Sequence, residues 1–446
     1  MKTREELKNE ILEASTKYFE AAFPISLFVP GKSFIPATEK KVGAEELQSL
    51  ILSALDMWFT SGRFCKNLEH ALPAYVGKKI PGLLTNSGSS ANLVAVSSLG
   101  STLLREIGRV PLEKGDEVIT TAVAFPTTVN PIFQNGWTPV FIDVDSSTLN
   151  STAEMVISAC SKKTKAVILT HTLGNPFEVE EIYRWCRAEN IFLIEDCCDA
   201  LGSLYAEKQV GYYGDFATLS FYPAHHMTTG EGGAVFSATP ELRKIAQSFR
   251  DWGRDCWCDP GVDNTCKKRF SWTLGELPTG YDHKYIYSHL GYNLKMTEMQ
   301  AAIGLAQIVK LPSFIEQRKR NWEKLRSGIS SSPILNENLF PIKKSPRSEP
   351  SWFGFAMNCG DAIDRRTLTR YLEKHHIGTR LVFAGNITKQ PAYKNETFRI
   401  ANNLTQSDLV MQKTFWIACN PTLTDEKITY MLETLESAVK AQVAGT

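Results

Sequence analysis

The sequence predicts an α/β fold: a mostly parallel sheet wrapped by helices, followed by a smaller α+β unit. Three observations predict it. From about Leu83 onward, short apolar runs alternate with stretches of helical periodicity. Polar clusters rich in small residues follow several of these runs, and ligands in such folds sit beyond the carboxyl ends of the strands. The chain has 446 residues, 43% of them apolar, which is enough for one large core and a smaller one.

The elements follow in order. Leu7, Ile11, Tyr18 and Phe19 recur at helical spacing, so the first twenty residues read as an amphipathic helix, and a second helix is expected over Ala44–Phe59. The expected strands are Glu117–Thr121, Pro139–Val144, Ala166–Thr170, Ile191–Ile194, Ala217–Phe221 and Ala234–Phe236, each a short apolar run between helical stretches. Met296–Lys310 reads as a helix that the basic stretch Arg318, Lys319, Arg320 continues. Lys343–Pro350 is polar and proline-bearing and reads as a loop, and a last helix is expected near Asp425–Ala441. The division expected is a helical segment over 1–40, a large α/β domain over 41–320 and a small α+β domain over 321–446.

With 49 basic and 48 acidic residues the formal net charge is +1, which leaves no electrostatic footprint for nucleic acid or an anionic membrane. The start, Met1-Lys2-Thr3-Arg4-Glu5-Glu6, lacks an apolar signal core, and no apolar run reaches the length of a membrane span. The expectation is a soluble, cytoplasmic protein. Its ten cysteines then point to reduced thiols, metal binding or catalysis before disulfides.

Four clusters carry chemistry. Thr85-Asn86-Ser87-Gly88-Ser89-Ser90-Ala91-Asn92 precedes a helix, where backbone N–H groups can converge on a phosphate or simply be capped. Ala124-Phe125-Pro126-Thr127-Thr128-Val129-Asn130 offers an aromatic that stacks on a flat ring or joins the core. Leu193-Ile194-Glu195-Asp196-Cys197-Cys198-Asp199 puts acidic groups at a strand end, where one can keep a pyridinium nitrogen protonated or cap a helix. Ser220-Phe221-Tyr222-Pro223-Ala224-His225-His226-Met227-Thr228-Thr229-Gly230-Glu231-Gly232-Gly233 sets two histidines beside a glycine-rich turn.

Together the four resemble the sugar aminotransferase-like enzymes of the DegT/DnrJ/EryC1/StrS family, which have fold type I and act on nucleotide-linked keto-sugars with pyridoxal phosphate. The resemblance covers nearly the whole chain, including Gly291-Tyr292-Asn293-Leu294-Lys295-Met296-Thr297-Glu298 and Cys419-Asn420-Pro421-Thr422-Leu423-Thr424. It implies a large domain built on a mostly parallel seven-stranded sheet. It implies that Gly88, Ser89, Ser90 and Ser220 hold the cofactor phosphate, Phe125 covers the ring and Asp196 pairs with the ring nitrogen. It also implies that Asn293 reaches the phosphate of the neighbouring subunit, giving a homodimer with a shared site.

Two positions leave the family pattern. Where the aminotransferases carry a lysine before the Thr-Thr-Gly-Glu-Gly-Gly turn, this chain has His225. An imidazole cannot tether the cofactor aldehyde as a lysine amine does. The cofactor is therefore expected to be held non-covalently as pyridoxamine 5′-phosphate, with His225 as the base that takes a proton from its C4′ carbon while the hydroxyl at sugar C3 departs. His226 is the first alternative for that base. The second departure is Asp199, where relatives commonly carry glutamine or histidine against the ring oxygen. An ionised carboxylate only accepts hydrogen bonds, which points to altered ring electronics, a cofactor radical among them, or to a harmless polar swap.

The cysteines narrow the reading. Cys198, Cys256, Cys258 and Cys266 form C-x57-C-x-C-x7-C, and four thiolates suit a [2Fe–2S] cluster or a structural zinc. The spacing is similar to that of the iron–sulfur sugar dehydrases of the same family. That likeness selects the cluster, selects Cys198 over the adjacent Cys197, and implies electrons arriving singly from an NADH-dependent flavin and iron–sulfur reductase. It implies a nucleotide-linked 4-keto-6-deoxyhexose as substrate, CDP-4-keto-6-deoxy-D-glucose first among them, on the way to a 3,6-dideoxyhexose of lipopolysaccharide O-antigen. Tyr222 and Arg380 are the expected sugar or diphosphate contacts. Cys65, Cys160, Cys186, Cys359 and Cys419 have no partner spacing and read as structural. The competing readings are a cluster-free dehydratase that recycles its cofactor with glutamate, an ordinary aminotransferase, and an inactive zinc-stapled scaffold.

Overall fold

The computed structural model describes residues 1–24, 26–256, 258, 260–262, 264–265 and 267–444. Seven strands build the large sheet: β1 (Leu83–Thr85), β2 (Glu117–Thr121), β3 (Thr138–Ile142), β4 (Thr164–Thr170), β5 (Phe192–Asp196), β6 (Phe216–Ser220) and β7 (Gly233–Ser237). They lie in the order β1-β7-β6-β5-β4-β2-β3. β7 is antiparallel to both of its neighbours and the rest are parallel. An eighth, two-residue strand, Arg399–Ile400, pairs with β3 at the edge. The sequence did not announce it, because two residues carry no periodicity. Its register is fixed by a charge, with the Arg399 guanidinium donating to both Glu117 oxygens at 3.0 and 2.8 Å.

The central strands read as near-continuous apolar runs because helices cover both faces. On one face Ala91, Val94 and Ala95 of helix Gly88–Ser98 pack on Ile194, Phe216 and Val235. On the other, Ile182 and Cys186 of helix Val179–Ala188 pack on Val167, Leu169 and Leu193. The last residues of β4, β5 and β6 are Thr170, Asp196 and Ser220, so three adjacent parallel strands deliver polar side chains to one edge.

The first helix spans Arg4–Ala22 and is closed by a capping box in which Thr3 and Glu6 satisfy each other's backbone N–H groups. The second stops at Leu55 and not at Phe59, because Met57 turns to φ 54° and cannot continue it. Helix Glu298–Ser331 has 34 residues and runs through position 320 without a break. After it, Leu339–Pro341, Gly354–Cys359, Thr414–Ala418 and Thr379–Arg380 form a four-stranded antiparallel sheet. Its core joins Phe355, Met357 and Ile417 to Trp322 and Leu325 of the long helix and to Met431 and Leu435 of the terminal helix Asp425–Val443. Within the segment read as a loop, Ser348 and Glu349 pair with Tyr205 and Leu204. Among the described residues no helix is long and apolar enough to cross a membrane.

Candidate active site

The carboxyl ends of β4, β5 and β6 open onto a cavity of about 950 Å³. Side chains alternate along β5, so Glu195 and Asp196 serve opposite sides of the sheet. Glu195 faces away and accepts from the N–H groups of Gly211 and Gly214 at 2.7 and 2.5 Å. Asp196 lines the cavity and is buried. Its Oδ2 accepts from Asn92 Nδ2 at 2.9 Å and from Thr128 Oγ1 at 2.7 Å, and its Oδ1 accepts from the Cys198 N–H at 3.1 Å. Asn92 is itself oriented by Thr218, whose hydroxyl donates to its Oδ1 at 2.6 Å. A carboxylate fixed by donors from three elements presents one geometry to a ligand. Asn92 and Thr128 lie in the motifs that the sequence singled out, but nothing there assigned them this role.

At the start of helix Gly88–Ser98 the Ser87 side chain accepts from the Ser90 N–H at 3.0 Å. Ser90 also shares a hydroxyl contact with Ser87 at 3.0 Å and is not among the residues lining the cavity. Gly88, Ser89 and Ser220 do line it. A Cβ on Gly88 would lie 2.4 Å from the Ser220 Cβ, so only glycine lets the helix start close against the end of β6. The uncapped N–H groups of a helix start beside serine hydroxyls form a ready anion cradle.

His225 lines the same cavity. Its backbone N–H donates to the Tyr222 carbonyl at 2.9 Å and its ring rests against Phe353, with centroids 5.2 Å apart. Its Nδ1 lies 3.4 Å from Asp199 Oδ1. Among the described residues neither His225 Nδ1 nor Asp199 Oδ2 has a hydrogen-bond partner, so both buried atoms retain bonding capacity. His226 points elsewhere. It is 2% exposed, its Nε2–H donates to the Ser351 carbonyl at 2.8 Å, and burial holds its imidazole well below the ordinary pKa, with the Arg318 charge adding to this. It does not line the large cavity.

Arg318 is a residue that sequence reasoning missed. It is buried inside the long helix, where its Nη1 donates to the Trp352 and Phe353 carbonyls at 3.0 Å each and its Nη2 to the His225 carbonyl at 3.4 Å. Burial pulls its pKa down to about 10, which leaves it charged at neutral pH. One guanidinium thus ties the imidazole-bearing turn to the small sheet. From that sheet and its connections Phe353, Leu381, Phe383 and Trp416 add apolar wall.

Phe125 and Tyr222 line the cavity while remaining 49% and 52% exposed, and Phe125 meets Phe383 edge-on with centroids 6.2 Å apart. Arg380 is exposed at the cavity's edge, its Nη1 donating to its neighbour Thr379's carbonyl at 2.7 Å. Asn293 is exposed, lies outside this cavity and accepts from Lys295 Nζ at 2.7 Å. Among the described residues that line the cavity there is no lysine.

Three of the four cysteines of the spacing motif, Cys198, Cys256 and Cys258, are among the described residues. Cys198 lines the cavity. Cys256 and Cys258 lie in a group with His283 that does not include Cys198. Cys266 lies outside the described residues.

The donor set suits a flat, phosphate-bearing pyridine: an anion cradle at Gly88, Ser89 and Ser220, a buried carboxylate at Asp196, an aromatic at Phe125, and unsatisfied polar atoms on His225 and Asp199. The sequence model of the DegT/DnrJ/EryC1/StrS aminotransferase family matches residues 40–436. The lipopolysaccharide biosynthesis protein RfbH of Salmonella typhimurium is 48% identical over 97% of this chain and 98% of its own. A dTDP-4-dehydro-2,6-dideoxy-D-glucose 3-dehydratase of Saccharopolyspora spinosa is 46% identical over 97% of this chain and 92% of its own. Among solved structures, the E. coli GDP-4-keto-6-deoxy-D-mannose-3-dehydratase with bound hydrated PLP superposes with a TM-score of 0.80 at 26% identity, covering 90% of this chain and all of the other.

Proposed function

The chain belongs to the DegT/DnrJ/EryC1/StrS aminotransferase family, and within it we propose a dehydratase that removes the C3 hydroxyl of a nucleotide-linked 4-keto-6-deoxyhexose using pyridoxamine 5′-phosphate. The observation that carries this reading is a cavity walled by His225 and by no lysine. Without a lysine amine nothing in the cavity can tether the cofactor aldehyde or complete an amino-transfer cycle on it.

When bound, the cofactor supplies an amine that condenses with the sugar ketone and a ring that takes up electrons. Gly88, Ser89 and Ser220 hold its phosphate, Asp196 keeps its ring nitrogen protonated, and Phe125 covers one ring face. Asp199 Oδ1, 3.4 Å from His225 Nδ1, is placed to accept from an Nδ1–H as the pair closes on the bound cofactor, which would leave Nε2 as the basic atom. His225 takes a proton from the C4′ carbon at Nε2 and gives it to the departing hydroxyl, which leaves as water. Leu173, Phe353, Phe383 and Trp416 exclude bulk water from this transfer. Tyr222 and Arg380 meet the sugar and the diphosphate at the cavity's edge, and Asn293 serves the phosphate of a second copy in a homodimer.

Reduction of the unsaturated product needs two electrons. The cysteine spacing supports a [2Fe–2S] centre fed by an NADH-dependent flavin and iron–sulfur reductase, and with it CDP-4-keto-6-deoxy-D-glucose as substrate. A second reading, cofactor recycling by glutamate without a cluster, is supported by the likeness to a solved GDP-4-keto-6-deoxymannose-3-dehydratase with a trapped PLP-glutamate geminal diamine, 27% identical to this chain. The test loads the protein with pyridoxamine phosphate and supplies the CDP-linked keto-sugar with either NADH and reductase or glutamate. A 3-deoxy sugar is expected, and the arm that yields it identifies the recycling route. A 4-amino sugar as the product would overturn the proposal.

A further inference from the structure

Three consecutive main-chain carbonyls, those of Ser351, Trp352 and Phe353, meet the turn that carries the two histidines. His226 Nε2–H donates to the first at 2.8 Å, and Arg318 Nη1 donates to the other two at 3.0 Å each. The strap that bears them is anchored to the connections after β4 and β5. The Ser351 N–H donates to Ser203 Oγ at 2.7 Å, Ser203 Oγ donates to the Gly174 carbonyl at 2.8 Å, and the Phe353 N–H donates to the Leu173 carbonyl at 2.9 Å. The second terminal nitrogen of Arg318, Nη2, reaches the His225 carbonyl at 3.4 Å. The circuit closes through the rings, because Phe353 packs on the His225 imidazole with centroids 5.2 Å apart. One guanidinium thus bears both on the main chain of His225 and on the strap whose aromatic rests against its ring.

We propose that Arg318 is a positioning residue for the reaction: it holds the His225 imidazole in its place on the cavity wall without itself meeting cofactor or sugar. The inference rests on the reading of His225 as the base. Arg318 does not line the large cavity, so any effect on the chemistry passes through the residues it holds. The three acceptors of its Nη atoms are carbonyls and not carboxylates, and among the described residues its Nε has no hydrogen-bond partner. A guanidinium buried on such terms carries a desolvation cost that a neutral donor would not. What it adds is a planar fork whose two nitrogens are fixed relative to each other, so His225 and Phe353 cannot shift independently. The fork is carried by a rigid element. Arg318 lies within the 34-residue helix Glu298–Ser331, and one turn on Asn321 Nδ2 donates to the Asn420 carbonyl at 2.9 Å.

The experiment follows isotope release from C4′-labelled pyridoxamine phosphate in the full chain, with the nucleotide-linked keto-sugar present, beside a cofactor titration. Arg318→Gln should slow release about 10²-fold, as a displacement of about 1 Å does, with cofactor affinity changed less than about threefold. Arg318→Lys, which keeps the charge but not the fork, should fall between that variant and the wild type, and it carries the test if Arg318→Gln does not fold. In the His225→Asn background the Arg318 substitution should slow release no further, whereas a general loosening of the fold would slow both backgrounds alike. A second readout needs no elimination. In His225→Lys, the rate at which borohydride traps pyridoxal phosphate on residue 225 should fall when the Arg318 substitution is added. Wild-type release in the Arg318 variants, equal slowing in both backgrounds, or unaltered trapping would overturn the inference. No release in the wild type would sink the proposed function, and the trapping rates would still decide the role of Arg318.

Discussion

His225 and Asp199, the two positions at which the sequence leaves its family's pattern, meet in space, with Nδ1 of the imidazole 3.4 Å from Oδ1 of the carboxylate. Read along the chain they were separate departures, one a missing tether and the other a change in ring electronics. Side by side they form an acid–imidazole pair, in which a carboxylate can fix the tautomer and orientation of a base.

Asp199→Asn should therefore slow release of the C4′ proton by about 10²–10⁴-fold while changing cofactor affinity far less. Asp199→Glu should restore part of the rate. Isotope release from C4′-labelled cofactor, measured beside a cofactor titration, reads both. A rate unchanged in Asp199→Asn would confine Asp199 to contact with the ring.

His225→Lys should convert non-covalent binding into a covalent tether, because an amine is what the cavity wall lacks. Borohydride reduction with pyridoxal phosphate, followed by peptide mapping, should find the cofactor on residue 225. Cofactor that washes away after reduction would mean that this position does not face the C4′ carbon.

Gly88→Ala should weaken cofactor binding at least about tenfold with little loss of fold, because the added Cβ would sit 2.4 Å from the Ser220 Cβ and push the helix start from the end of β6. Equilibrium titration with pyridoxamine phosphate measures this. Undiminished affinity would remove the anion cradle from that corner.

Most of the sheet was legible because buried parallel strands are short apolar runs, and Thr164–Thr170 and Phe216–Ser220 fall where such runs do. The polar corner of the cavity was legible for a related reason: strand ends and helix starts bring polar residues together, and Asp196, Gly88 and Ser220 all occupy such places. Arg318 was not, because Arg318-Lys319-Arg320 looks like a solvated helix face until tertiary packing buries its first member. His283 was not, because its spacing from Cys256 has no local period and only the antiparallel return of the chain joins them.

Stability should fall as pH drops below neutrality. Burial holds His226 well below its ordinary pKa and pulls His289 down to about 4, with His289 bound at both ring nitrogens by the Ser101 and Ser248 hydroxyls at 2.7 Å. Both are neutral in the fold but take up protons in the unfolded chain below about pH 6.5. Their contribution is complete above that value and is lost progressively toward pH 4. Urea midpoints at pH 7 and pH 5 should show the fall, and His289→Gln should make it shallower. A midpoint that rises on acidification would contradict this.

The central claim, that His225 drives loss of the C3 hydroxyl, is tested most directly by solvent oxygen exchange. The protein, loaded with pyridoxamine phosphate, is given the nucleotide-linked 4-keto-6-deoxyhexose in ¹⁸O-water without reductant, and label is located at C3 by mass-spectrometric fragmentation. The account predicts that the wild type places ¹⁸O at C3 and that His225→Asn does so about 10²–10⁴-fold more slowly. Exchange at C3 that is absent from the wild type, or equally fast in His225→Asn, would contradict it.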